Sequence, residues 1–246
     1  MTIVGKGSAN VHPNFQHDSF FIRLVRSIEL SAPRMVQSRL LDIAISEFGT
    51  KGLEGASTRG IAAAAGTAMS SITYHYGGKE GLYLAAADRI AERMSAVMGD
   101  PSELSHDVAA DDASEARAQI HRIFGRLADK MASNESADWT LFVLREQMKP
   151  GEAFERIYGG VMGQMVRRLS DLVCIATGCA EIRTGRIATI TLMGQVLTLR
   201  ASRATCLKLL ERDTLEPSDI DDIKARIDAN IDAILDSMRA EEQGQA

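Results

Sequence analysis

The sequence predicts an all-α fold, in which an N-terminal three-helix head precedes a larger C-terminal helical domain. Three observations predict it. Apolar residues recur at spacings of three and four, the period of a helix face. No stretch of useful length alternates apolar and polar residues as a half-buried strand does, and there is no internal repeat. The composition, with 5 prolines, 5% aromatic residues and abundant Ala, Leu, Ile, Met and Arg, favours helix.

The elements follow in order. Residues 1–18 are polar and contain glycine, and read as an arm. "SFFIRLVRSIEL", 19–30, fits a short extra helix, so 1–30 stays unassigned. Ser31 suits a helix cap and Pro33 its first turn. Val36, Leu40, Ala44 and Phe48 then recur every fourth residue, which predicts a helix over 33–50. Ser57 caps a short helix, "TRGIAAAA", that stops at Gly66. A third helix spans 69–76 and breaks at Gly77 and Gly78, and a fourth opens at Lys79. After the acidic connection 99–114, helices are predicted near 113–132, 137–148, 151–177, 182–201 and 217–239. The domain boundaries are 31–80 for the head and 81–246 for the body.

Charge adds direction. The net charge is −5. Residues 1–80 carry 8 Lys/Arg against 6 Asp/Glu, and residues 81–246 carry 20 against 27. A mildly basic head on an acidic body permits a polyanion at the head. No apolar run reaches the roughly 18 residues that span a membrane, and the start lacks a signal-peptide core, so the expected location is the cytoplasm, without a membrane partner. Cys174, Cys179 and Cys206 have no metal spacing and read as small buried residues in a reducing compartment, with a redox switch as the alternative. No metal or cofactor is expected.

The stretch "TYHYGGKE", 73–80, sets the functional question. It asks whether His75 is a catalytic base and Gly77-Gly78-Lys79 a phosphate cradle; His75 reads as neither a base nor a metal ligand. The glycines, however, lack the preceding strand and longer loop of a nucleotide site. Two short helices joined by a turn at Gly66 have the spacing of a helix-turn-helix, whose second helix enters the major groove. Thr67, Ser70, Ser71 and Thr73 then face base edges. Ser57, Thr58 and Arg59 sit at a helix N-terminus suited to a phosphate.

"LLDIAISEFGTKGLEGASTRGIAAAAGTAMSSITYHYGGKEGLYLAA" resembles the DNA-binding domain of TetR-family transcriptional regulators. The match lies in Ala65-Gly66, Thr73-Tyr74-His75-Tyr76 and Lys79-Glu80. The frequent first Tyr of that motif is Thr73 here, the frequent Phe is Tyr76, and the frequent capping Ser is Ala68. The resemblance implies that Tyr74, His75 and Lys79 hold phosphates and fix register without reading sequence. "FVLREQMKPGEAFERIYGGVMGQMVRRLSDLVCIATGC" is similar to the C-terminal domain of the CecR-like branch. What the resemblance implies is a homodimer on a double-stranded, pseudo-palindromic operator, released by a lipophilic or drug-like small-molecule effector.

Two candidate sites follow in the body. Ile220, Ile223, Ile227, Ile231, Ile234 and Met238 form an apolar stripe, with Ile187 and Thr191 on the helix before it. The stripe is either core or half of a dimeric four-helix bundle, and the dimer is the expectation. His121, Phe124, Trp139, Phe142 and Met148 are expected to surround a ligand pocket with Phe154, Tyr158, Met162, Met165 and Gln195. Arg145 and Glu146 are expected to pair across helices as structural ions, with orienting a ligand as the alternative. A helical enzyme finds no support, since no Ser-His-Asp, Cys-His or His-Glu-x-x-His pattern occurs. The remaining alternative is a constitutive DNA-binding or architectural protein without a ligand.

Overall fold

The computed structural model describes the backbone of residues 18–98, 112–133 and 137–245, and the side chains of 35–96, 112–133 and 139–244. Every regular element among them is helical. The expected arm up to residue 17 and the connection 99–111 lie outside the described residues.

Helix α1 (Asp18–Gly55) is longer than expected. It starts at Asp18, so Ser31 is not its cap. Pro33 removes one hydrogen bond from the ladder, and good helix formers on both sides carry the backbone through it. The regular helix breaks at Gly52, where φ is 73°. Val36 is 42% exposed and drops out of the expected stripe, whereas Leu40, Ala44, Ile45 and Phe48 are buried. Helices α2 (Thr58–Ala65), α3 (Met69–Tyr76) and α4 (Lys79–Met98) begin and end as their punctuation predicts. Ile61, Ala62 and Ala65 of α2 and Ile72 of α3 close onto α1 and α4 to form the head's core.

Helix α4 is shared. Its first residues complete the head, and its later turns enter the body beside α5 (Ala113–Ala132) and α7 (Glu152–Ile157). Helix α6 (Ala137–Met148) packs along α1. The helix expected over 151–177 is two helices. A π-type turn, Tyr158–Met162, separates α7 from α8 (Gly163–Thr177). The backbone leaves helical geometry at Gly160, with ψ −149°. Gly159 and Gly160 cost helix stability there, and Gly163 has no room for a side chain against the Tyr158 carbonyl.

Helix α9 (Ile182–Ala201) crosses α8. An unforeseen short helix, α10 (Arg203–Leu209), follows, and α11 (Pro217–Gln245) closes the body. Ile120, Phe124, Trp139, Phe142, Leu169, Leu172, Val173, Leu192, Val196, Ile231 and Leu235 join the head's residues in one buried cluster. Head and body therefore share a continuous core through α1 and α4.

Candidate nucleic-acid interface

The recognition unit is built by caps and glycines. Ser57 accepts a hydrogen bond from the Gly60 amide through its side chain, at 3.2 Å, and so starts α2. Gly66 ends it with φ 71°, where a side chain would be strained. Ala68 opens α3 without a side-chain cap. Next to it, the Thr67 hydroxyl donates to Ser71 Oγ at 3.1 Å, which ties the turn to the helix. Ile72 is 1% exposed and anchors α3 to the head's core.

The opposite face of α3 is open. Ser70, Thr73, Tyr74 and His75 are exposed, and the Tyr74 ring is 85% exposed. Tyr74 and His75 meet edge to face at 4.9 Å. Arg59 is exposed on α2, Thr58 half-buried beside it. Thr67 and Ser71 are half-buried, so their hydroxyls are partly spent on each other. Tyr76 leans inward, and burial pushes its phenol pKa up.

Lys79 already has a partner. Its Nζ donates to the Glu54 carbonyl at 2.9 Å and holds the start of α4 to the end of α1. Beside it, Gly81 approaches the Tyr76 carbonyl so closely that any side chain would clash with backbone. Gly81 is a positioning residue that motif reading missed, since a glycine inside a helical pattern gives little signal beyond its cost.

The body's expected pocket residues divide. Phe124, Trp139, Phe142, Met162 and Met165 are buried in the core. Phe154 and Tyr158 are half-buried and stack on each other at 5.7 Å. Gln195 accepts from Asn230 at 2.8 Å. His121 lies on the seam between α5 and α11, with its two ring nitrogens each 2.9 Å from a carboxylate, Asp228 and Asp232. Met148 is 88% exposed at the far end of α6. His121 and Met148 therefore lie apart from the buried aromatic and methionine residues of this set. Periodicity reports an inward face and cannot separate a filled core from an open one.

Met148 instead edges a cleft of about 660 Å³ between head and body. Leu53, Tyr83, Leu84, Arg145, Glu146 and Lys149 line it with Met148. The expected pairing of Arg145 and Glu146 across helices is made by hydrogen bonds to uncharged groups of other helices. Arg145 donates to the carbonyls of Gly49 and Thr50, at 3.1 and 2.8 Å, and caps the end of α1. Buried Glu146 accepts from the Tyr83 hydroxyl at 2.6 Å and from the Phe154 amide at 3.0 Å. Tyr83 in turn stacks on Phe142 at 4.5 Å, and burial with the Glu146 carboxylate pushes its pKa upward.

The expected dimer stripe also divides. Ile227 and Ile231 of α11 are 6% and 0% exposed within the single chain, and belong to its own core. This corrects their assignment to an outer face. Ile220, Ile223, Ile234 and Met238 are half-buried, and Ile187 and Thr191 of α9 are exposed. The outer face of α9 adds Ile190, 68% exposed, and Leu197, 40% exposed, at helical spacing from Ile187. Among the described residues no helix is long and apolar enough to cross a membrane, and no cluster of three metal-ligating residues occurs.

Residues 40–86 match the family described as bacterial regulatory proteins, tetR family. Residues 116–238 match the C-terminal domain of the HTH-type transcriptional dual regulator CecR. The CecR protein of Shigella flexneri is 28% identical over 206 residues, covering 82% of this chain and 92% of that one. A TetR-like regulator from Rhodococcus sp. RHA1 shares the fold with TM-score 0.58 at 16% identity, over 80% of this chain and 93% of that one. FadR from Bacillus subtilis, in complex with stearoyl-CoA, does so with TM-score 0.54 at 12% identity, over 79% and 97%.

Proposed function

This chain belongs to the TetR family of bacterial transcriptional regulators, in its CecR-like branch, and from that premise we propose that it is a repressor which a small molecule releases from a two-fold operator. The observation that carries the DNA-binding part is α3. Ile72 and the inward-leaning Tyr76 anchor the helix, and Ser70, Thr73, Tyr74 and His75 stand free on the other side. Short polar groups suit base edges, while Tyr74, His75 and Lys79 suit phosphates. Arg59, Thr58 and Ser57 extend the contact along α2.

Dimerisation supplies the second head. The exposed apolar residues of α9, with the half-buried edge of α11, support a bundle of two helices from each subunit. Two recognition helices roughly 34–36 Å apart would read a pseudo-palindrome. The relative solved with stearoyl-CoA supports a lipophilic effector. The head–body cleft supports an entrance beside Met148, leading to the aromatic and methionine interior once the helices part. To change occupancy strongly, the effector must discriminate between two conformations by several kcal/mol.

Selection of bound duplexes from a random pool at about 150 mM salt tests the reading, since non-specific attraction is partly screened there. Enrichment of a two-fold symmetric site is expected. Folded protein that enriches nothing would refute sequence-specific recognition. A compound screen on the enriched site then separates effector release from constitutive binding.

A further inference from the structure

We propose that Cys174 and Cys179 form a reversible dithiol–disulfide couple that sets operator occupancy, closed by exchange with a low-molecular-weight disulfide of the glutathione class. The inference rests on the reading that this chain works on DNA, where thiols are held reduced. In that compartment a disulfide is ordinarily transient or redox-sensing.

The geometry is local and complete. Gly178 ends α8 with φ 80° and turns the chain back, so that Cys179 returns over the last turn of α8. The Cys174 and Cys179 Cα atoms are 4.7 Å apart, within the range that a disulfide bridges without backbone movement. The pair is joined as a disulfide in the structure, while Cys206 is free. The Cys179 amide donates to Thr177 Oγ1 at 3.3 Å and pins the corner. Cys174 is half-buried and Cys179 is 7% exposed, so Cys174 is the more exposed residue of the pair.

The chemistry balances. The Cys174 thiolate attacks one sulfur of the small disulfide, forms a mixed disulfide and expels a thiolate. The Cys179 thiolate then attacks the Cys174 sulfur and expels the second. Two protein thiols are oxidised, one small disulfide is reduced to two thiols, and the two protons go to the departing thiolates.

The corner couples this bond to α9. A side chain at Gly185 of α9 would meet Cys174 Sγ and the Ser170 carbonyl, both at 2.6 Å, so α8 and α9 cross here without slack. Two thiols need van der Waals spacing where a disulfide needs only a bond. Reduction therefore presses on the start of α9, the helix whose outer face carries Ile187, Ile190 and Leu197. A shift there alters the proposed dimer seam and the spacing of the two heads.

The test equilibrates full-length Cys206→Ser protein in glutathione buffers of varied ratio, quenches it and reads intact mass. Loss of two hydrogens, restored by dithiothreitol, is expected to titrate where reduced glutathione is in excess. A pair that stays oxidised throughout is a permanent staple, and a pair that never oxidises is not a couple. Either result overturns the proposal. Reduced and oxidised protein are then titrated onto the selected duplex. Half-saturation is expected to differ at least about threefold, and Cys174→Ser and Cys179→Ala, each checked by thermal melting, should keep the reduced value under oxidant. Equal affinities would overturn the regulatory role. Failure of both reduced and oxidised protein to bind any duplex would refute the DNA reading and this regulatory role with it, while the mass titration still judges the couple on its own.

Discussion

Lys79 has two duties within one side chain. Its ammonium group holds the Glu54 carbonyl at 2.9 Å, and Lys79 opens α4 just after the break that follows the exposed Tyr74 and His75. A phosphate contact is sequence-independent, and its loss removes one counterion's worth of salt dependence. Lys79→Ala should therefore weaken binding alike on all duplexes and lower the salt slope by about one. Affinity measured across a salt series checks this, with melting to register the loss of the Glu54 contact. An altered sequence preference at constant slope would sink the phosphate role. His121 makes a different residue-scale argument. Burial opposes its charge, but hydrogen bonds to Asp228 and Asp232 outweigh that and raise its pKa. Asp232 is itself lowered, because bonds from His121 and Arg117 outweigh its burial. Arg117 also pairs with Asp236, so this part of the seam sets an arginine and the histidine against Asp228, Asp232 and Asp236. The raised histidine contributes stability fully below its unfolded value of about 6.5, lost as pH rises through the folded one. The lowered aspartate contributes above about 3.9, lost as pH falls through its folded value. His121→Gln should remove roughly 1 kcal/mol near pH 5 and much less at pH 9, after discount for solvent screening. Denaturant titrations at the two pH values check it. An equal loss at both would show that packing alone is involved.

At the scale of the element, α9 and α11 look alike in sequence and differ in the fold. Both carry apolar residues at spacings of three and four. On α11, Ile227 and Ile231 turn into the chain's own core, whereas on α9 Ile187, Ile190 and Leu197 stay exposed. Charges on the α9 face would have to be buried in a dimer. Ile190→Glu with Leu197→Glu should leave the monomer folded and raise the dimer dissociation constant at least about 100-fold, two unpaired charges being costly. Sedimentation velocity checks this, and an unchanged dimer mass would move the seam elsewhere. Ile227→Glu would instead damage the subunit's own core, so it is no test of dimerisation. The contrast explains what is legible in the sequence. Boundaries of α2, α3 and α4 are readable because Ser57, Gly66, Gly77 and Gly78 punctuate them with local chemistry. The exposed face of α3 is readable because a fixed motif accompanies it. Which apolar stripe is free, and whether Phe124 and Trp139 enclose space or fill it, depends on distant partners that periodicity does not encode. The start of α1 is misread for a related reason, since a capping serine and a proline give a strong local signal that the wider helix overrides.

At the scale of the whole molecule, the last turn of α6 joins everything. Arg145 holds the end of α1, and Glu146 holds Tyr83 of α4 and the amide that opens α7. These contacts line the cleft between head and body. A signal from a ligand in the body reaches the recognition helix only through an element with two arrangements that the ligand biases. The α6 end is the part of the described structure that touches α1, α4 and α7 through hydrogen bonds at once. Arg145→Ala removes its grip on α1 and leaves Glu146 satisfied, so no buried carboxylate is orphaned. The α3 surface is untouched, so operator affinity without effector should stay within about twofold. The effector's leverage should fall instead, by a part of the 1–3 kcal/mol typical of coupling between sites, or about 5-fold at least. Operator titrations with and without a screened effector, on both proteins, check this. Loss of basal affinity would make Arg145 a brace of the head. Undiminished release would send the signal along α4 alone.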